Sequence, residues 1–198
     1  MNMKKISSII ALSLLAGIIC FVGYNQLNPQ ILVATADYPT VPFEELEEQS
    51  HVIVKAQLVD NLADEVKFDK SKVPLDWRTF TSLKIIEIYK DVNGEFNEGD
   101  TVTVMEPFAS WRDARGAYEI HREHYLPIQK EKEYIFYLYK SNTFDAYEIH
   151  SHHQGKYILN TTGKDISVLK KEELEVTDIE TQYLENYKKV MAKYHNGK

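Results

Sequence analysis

Between Lys5 and Asp37 the chain carries no charged side chain at all, and this stretch divides it into two unequal parts. Ile6 to Tyr24 is apolar around every face, behind the short basic pair Lys4 and Lys5. At a rise of about 1.5 Å per residue, a run of that length crosses most of a bilayer core of about 30 Å. Lysines ahead of it keep the N-terminus in the cytoplasm and send the remainder across. Residues 1–36 are therefore expected to be a signal peptide or signal anchor, with a transmembrane segment at about 6–24. Residues 37–198 are expected to form a single extracytoplasmic domain. Ala34-Thr35-Ala36 is a small-x-small cleavage signal, so the protein is either anchored at the outer face of the cytoplasmic membrane or secreted after a cut near Ala36. A lipoprotein reading would use Cys20, but Ile18 and Ile19 stand where a small residue is needed.

Cys20 is the only cysteine, so the part beyond residue 36 has neither disulfide nor thiol chemistry. It is long enough to bury a core without such staples. The formal net charge is −7, from 30 acidic and 23 basic residues, and no basic block interrupts it. Such a chain repels phosphate backbones, which excludes nucleic acid as a partner class.

Past the connector at 25–41, Pro42 to Ser50 predicts a short helix, with proline at the first position and carboxylates in the first turn. His51 to Val59 alternates as a half-buried strand, and residues 60–78 read as a loop or insertion. Thr79–Tyr89 and Thr101–Met105 are strands on either side of the turn signals Asn93-Gly94 and Glu98-Gly99. Residues 106–132 show no clean period and read as a long functional or mobile loop. Glu133–Lys140 is a strongly apolar, central strand, and Asp145–Ser151, Lys156–Leu159 and Ile166–Leu169 are shorter ones. Thr177-x-x-Glu180 is a capping box for an amphipathic helix at 177–195, whose Tyr183, Tyr187, Val190 and Tyr194 recur at helical spacing. The expected class is mainly β, a small OB-like barrel between a short helix and a C-terminal one.

Phe43-x-x-Leu46-x-x-x-Ser50-x-Val52-Ile53-Val54, Ile88-Tyr89-Lys90, Glu98-Gly99-Asp100-Thr101-Val102-Thr103-Val104, Lys132 to Leu138 and Gly155-Lys156-Tyr157 occur in that order. This order resembles a group of small exported Gram-positive proteins, whose barrel is similar to that of the tissue inhibitors of metalloproteinases. The resemblance spans residues 43–160. Its motifs mark strands and turns, and it departs from the group at His51, Ala56, Asp91 and Glu106-Pro107-Phe108. It implies a fold and carries over no catalytic residue. Peptidase inhibition follows from the analogy alone, and the N-terminal cysteine that such inhibitors dock with is missing.

Two segments open with Tyr-Glu-Ile-His. His121 and His124 would share a face of a helical turn, and His150 and His152 a face of a strand. Together they would supply nitrogen ligands to Zn²⁺ or Cu²⁺, with Glu119, Glu123 or Glu148 orienting the rings. The alternative is that these are surface histidines. Phe108, Trp111, Arg112 and Arg115 have the composition of a partner-binding surface; the competing reading has the aromatics plugging a barrel end. No nucleophile elbow, phosphate loop or dinucleotide fingerprint occurs, and the reading is non-enzymatic. The first expectation is an extracytoplasmic binding module for a protein or cell-envelope ligand, held to the membrane by its N-terminal segment. Metal binding is the second and peptidase inhibition the third.

Overall fold

The computed structural model describes residues 28–35, 40–123, 125–159 and 178–195. The apolar run at 6–24, His124 and the strand expected at 166–169 lie outside the described residues. Among those described, no helix is long and apolar enough to cross a membrane.

The protein is mainly β. Its elements are β1 (Gln30–Ala34), α1 (Phe43–Gln49), β2 (Val52–Phe68), β3 (Pro74–Asp91), β4 (Thr101–Glu106), β5 (Phe108–Asp113), β6 (Gly116–Arg122), β7 (Glu133–Lys140), β8 (Tyr147–Ile149), β9 (Lys156–Ile158) and α2 (Asp178–Val190). A 3-10 turn, His152–Gly155, precedes β9, and a π-helical turn, Met191–His195, continues α2.

One sheet runs β2-β3-β4-β8-β7-β9, and β2 also pairs with β7. Hydrogen bonding therefore returns to its starting strand after five strands. All of these pairings are antiparallel except β4 with β8. Alternation explains the two cores. Val52, Val54 and Ala56 of β2 join Tyr134, Phe136 and Leu138 of β7 in one cluster. The intervening Ile53, Ile135 and Tyr137 join Val41, Leu46, Tyr157, Val190 and Met191 in a second, under the two helices. β7 is thus buried on both faces, as its unbroken apolar run requires. Each such Leu, Ile or Phe contributes about 1.5–3 kcal/mol on burial.

Glu44 and Glu45 lie in the first turn of α1, where the helix dipole favours negative charge, and Leu46 buries its inner face. α1 is tied to α2 by Lys189 Nζ to Glu44 at 2.7 Å and by an ion pair between Lys193 and Glu47. Tyr183 donates to the Lys156 carbonyl at 3.1 Å, so the tyrosine face of α2 packs on β9.

Three expectations are corrected. Residues 60–78 are no loop: β2 runs on to Phe68 and β3 starts at Pro74, which makes one long hairpin. Residues 59–65 are exposed on both faces, so a period of two has nothing to report there. Asp69 builds the tip by accepting from Ser71 N–H and Val73 N–H, both at 2.8 Å. Residues 106–132 contain a second hairpin, β5–β6, turned at Asp113, whose carboxylate accepts from Arg115 N–H at 2.7 Å. The 25–41 connector contains β1, which lies parallel to β6 with Gln30 beside Tyr118 and Ala34 beside Arg122. β1, β6 and β5 form a separate three-stranded sheet.

Candidate ligand cleft

β3, β4 and β8 meet the end of β6 around an open cleft of about 150 Å³. Trp77 and Arg78 come from β3, Arg122 from β6, Phe144 from the β7–β8 connection and His152 from the 3-10 turn. The Arg122 guanidinium lies 5.2 Å from the centre of the Trp77 ring, and that of Arg78 lies 4.4 Å from Phe144. Arg78 is only 14% exposed, ion-paired with Asp76 and 3.9 Å from Glu65. The Trp77 indole N–H is buried and meets no acceptor among the described residues. Burial, and then the nearby Arg122, push His152 down to about 4, against an opposing pull from Glu148. The cleft is thus lined by two guanidiniums, Arg78 being held by Asp76, by the carboxyl groups of Asp76, Glu106 and Glu148, and by a buried indole donor and a neutral imidazole.

Beneath it Glu106 is 1% exposed, and each of its oxygens has a donor. Thr81 donates at 2.6 Å, Tyr125 at 2.7 Å and the Ile128 N–H at 2.8 Å. Lys156, also buried, donates to the Leu126 carbonyl and stands 4.1 Å from the centre of Tyr125. Burial lowers Lys156 to about 8, while the charge of Glu106 holds it up. This polar cluster closes one end of the first core and leaves no hydroxyl or carboxylate of its own unmatched.

The histidines are placed separately. His121 is on a strand, not a helical turn; its ring stacks on Phe108 at 5.8 Å and its Nε2 is 3.2 Å from Glu119. β8 ends at Ile149, before the strand end expected at Ser151, and Ser151 and His152 both have positive φ. That left-handed step breaks alternation, so His150 and His152 share no strand face. The His150 Nε2 lies 3.0 Å from Gln49 Oε1 of α1, whereas His152 enters the cleft. Among the described residues no group of three or more His, Cys, Asp or Glu is arranged to hold a metal ion.

Phe108 is 7% exposed and belongs to the first core cluster, so it presents no surface to a partner. Trp111 and Tyr118 stack at 5.2 Å across β5 and β6, with Phe68 edge-on to Trp111 at 5.5 Å. Arg112 and Arg115 are exposed at the turn end of that hairpin, Arg115 being paired with Asp113 at 2.8 Å.

Trp77, Arg78 and Phe144 were not singled out by sequence, because a tryptophan between charged residues in an apparent loop gives no period to read. The sequence matches no protein-family model and no curated protein at significance.

Proposed function

We propose that this chain is a non-enzymatic binding module at the cell envelope, outside the cytoplasm, and that its five-strand ring is an OB-like barrel. In such barrels the second and third strands and the loop between the fourth and fifth carry the ligand face. The corresponding elements here are β3, β4 and the β7–β8 connection, and all three contribute to the cleft. The observation that carries the reading is the buried Trp77 N–H, without an acceptor among the described residues, in a cleft where the Arg122 guanidinium lies over the same ring. A buried donor without an acceptor costs about 1–3 kcal/mol, which a ligand oxygen recovers. Arg78 is held by Asp76, and an arginine fork matches a carboxylate, so Arg122 points to a carboxylate-bearing component of the envelope as the ligand class. The reading of a Zn²⁺ or Cu²⁺ site has no assembled ligand set behind it among the described residues.

The test is a titration of the full chain in detergent micelles with a soluble wall disaccharide-peptide carrying free carboxylates, and with its fully amidated counterpart. Tryptophan fluorescence reports it, since one of the two tryptophans lines the cleft. A saturable change with the acidic form, weakened about tenfold or more by Arg122→Gln, supports the reading. An identical response from Arg122→Gln, or no saturable change with either form, overturns it.

A further inference from the structure

The three features that project beyond the β5–β6 sheet do so in the same direction. Along β5, Phe108 lies at the β3 end, where its carbonyl accepts from Thr79 at 2.9 Å. Ser110 then meets Asp64 at 2.7 Å, and Trp111 meets Phe68. The tip of the β2–β3 hairpin and the β5–β6 turn therefore point the same way. β1 is parallel to β6 with Gln30 beside Tyr118, so its N-terminal end lies at that end too.

At this end five basic side chains stand against the carboxylates of Glu65, Asp69, Asp76 and Asp113, a small excess of positive charge in an acidic chain. Lys67, Lys70 and Lys72 are exposed at the hairpin tip, and Arg112 and Arg115 at the neighbouring turn, Lys67 lying 3.4 Å from Asp76 and Arg115 2.8 Å from Asp113. Among them stand apolar side chains in the open: Leu75 at 65%, Val73 at 53%, Phe68 at 41% and, on β1, Ile31 at 64%. Basic residues around exposed apolar ones are the composition of a surface that sits in a lipid headgroup layer. The first described strand starts at this end. Tyr24, the last residue of the uncharged apolar run, is six residues before Gln30, a reach of at most about 20 Å.

We propose that this end, formed by the β2–β3 tip, the β5–β6 turn and the start of β1, rests on the membrane and binds anionic phospholipid. Its lysines and arginines meet the headgroups, and Val73 and Leu75 enter the interface. The cleft at Trp77 and Arg122 is then held at a set height above the bilayer, with α2 on the side away from it. The proposal rests on reading residues 6–24 as a membrane segment, and it assigns Trp111, Arg112 and Arg115 to a lipid surface.

The experiment uses the full chain in two sets of vesicles, phosphatidylcholine alone and phosphatidylcholine mixed with phosphatidylglycerol. Lysine acetylation is read residue by residue by mass spectrometry. Lys67, Lys70 and Lys72 are expected to be protected in the anionic vesicles at low salt, by about fivefold per lysine. High salt should abolish this protection, while Lys84 and Lys188, exposed elsewhere, label equally in both. Equal labelling of the tip lysines in the two membranes overturns the proposal. An alkaline wash tests the membrane segment separately. A chain that washes off both vesicle types refutes the anchor, and flotation of that chain then decides the tip. Binding to anionic vesicles that is lost in Lys70→Gln/Lys72→Gln/Leu75→Ser supports it, and no binding refutes it.

Discussion

The side-chain amide of Asn186 donates to the carbonyl of Val41 at 2.7 Å, joining α2 to a residue 145 positions earlier. The Val41 N–H is held in turn by Gln154 Oε1 at 2.8 Å. Both peptide groups of an otherwise irregular residue are thus satisfied by side chains, and Val41 is fixed in the core under the helices. Asn186→Ala removes a buried donor and leaves the carbonyl unmatched, at a cost of about 1–3 kcal/mol. Denaturant unfolding should show that loss, and the amides around Val41 should exchange faster than those of β7.

Glu106 is a buried carboxylate saturated by three donors, so removing its charge has two separate readouts. Glu106→Gln places an amide where donors already converge and should destabilise the fold by about 2–3 kcal/mol. The charge that holds up Lys156 also disappears. Lys156, now at about 8, should fall further, which nitrogen-15 NMR of its amine measures.

The same lysine gives stability a pH dependence on the alkaline side. Its folded value is below the ordinary lysine value of 10.5, so between about 8 and 10.5 the unfolded chain binds more protons. This group therefore adds stability as pH rises through that window. Subtracting the profile of Lys156→Met, in which the rise is absent, isolates it from the tyrosines.

On the acid side His152 acts in the same sense. With a folded value of about 4 against 6.5, it stays neutral in the fold while the unfolded chain takes up a proton. Its contribution is present above 6.5 and is lost as pH falls toward 4, by an amount on the order of 3 kcal/mol. His152→Asn should flatten that segment of the profile. Asparagine tolerates the residue's φ of 57°, so the backbone is kept.

Gly155 is required by a close approach of backbone. A Cβ there would lie 2.8 Å from the His150 nitrogen and 3.0 Å from the Tyr137 carbonyl oxygen. Main chain cannot rotate away as a side chain can, so Gly155→Ala should cost about 1–3 kcal/mol and disturb the entry to the cleft. Thermal unfolding and the His152 NMR signal would report both effects.

Elements with one face in the core were legible in the sequence. Val52, Val54 and Ala56 alternate because alternate residues face inward, and Tyr183, Tyr187 and Val190 recur because one side of α2 is covered. Where neither face is covered, the pattern fails. Leu62, Asp64 and Glu65 are all exposed, so the outer half of β2 looks like loop until its hydrogen-bond partners on β3 are known. The cleft was illegible for another reason. Trp77, Arg122 and Phe144 are brought together by strand pairing across three elements, and no local spacing encodes that. The histidine pairing failed on a local detail, the left-handed backbone at Ser151 and His152, which neither residue type announces.

On the proposed export and cleavage near Ala36, the parallel pairing of β1 with β6 makes the order of events matter. Ala34 lies beside Arg122, and its carbonyl accepts from the Glu123 N–H at 3.0 Å. A peptidase that read Ala34-Thr35-Ala36 as an extended strand would compete with β6 for the Ala34 backbone. On that proposal, a chain that folds before it is cut holds Gln30–Ala34 in the sheet and would keep its tether. A chain cut first would depart without β1, its β6 edge bare. Folding speed against protease encounter would then set how much of one gene product stays bound and how much is released.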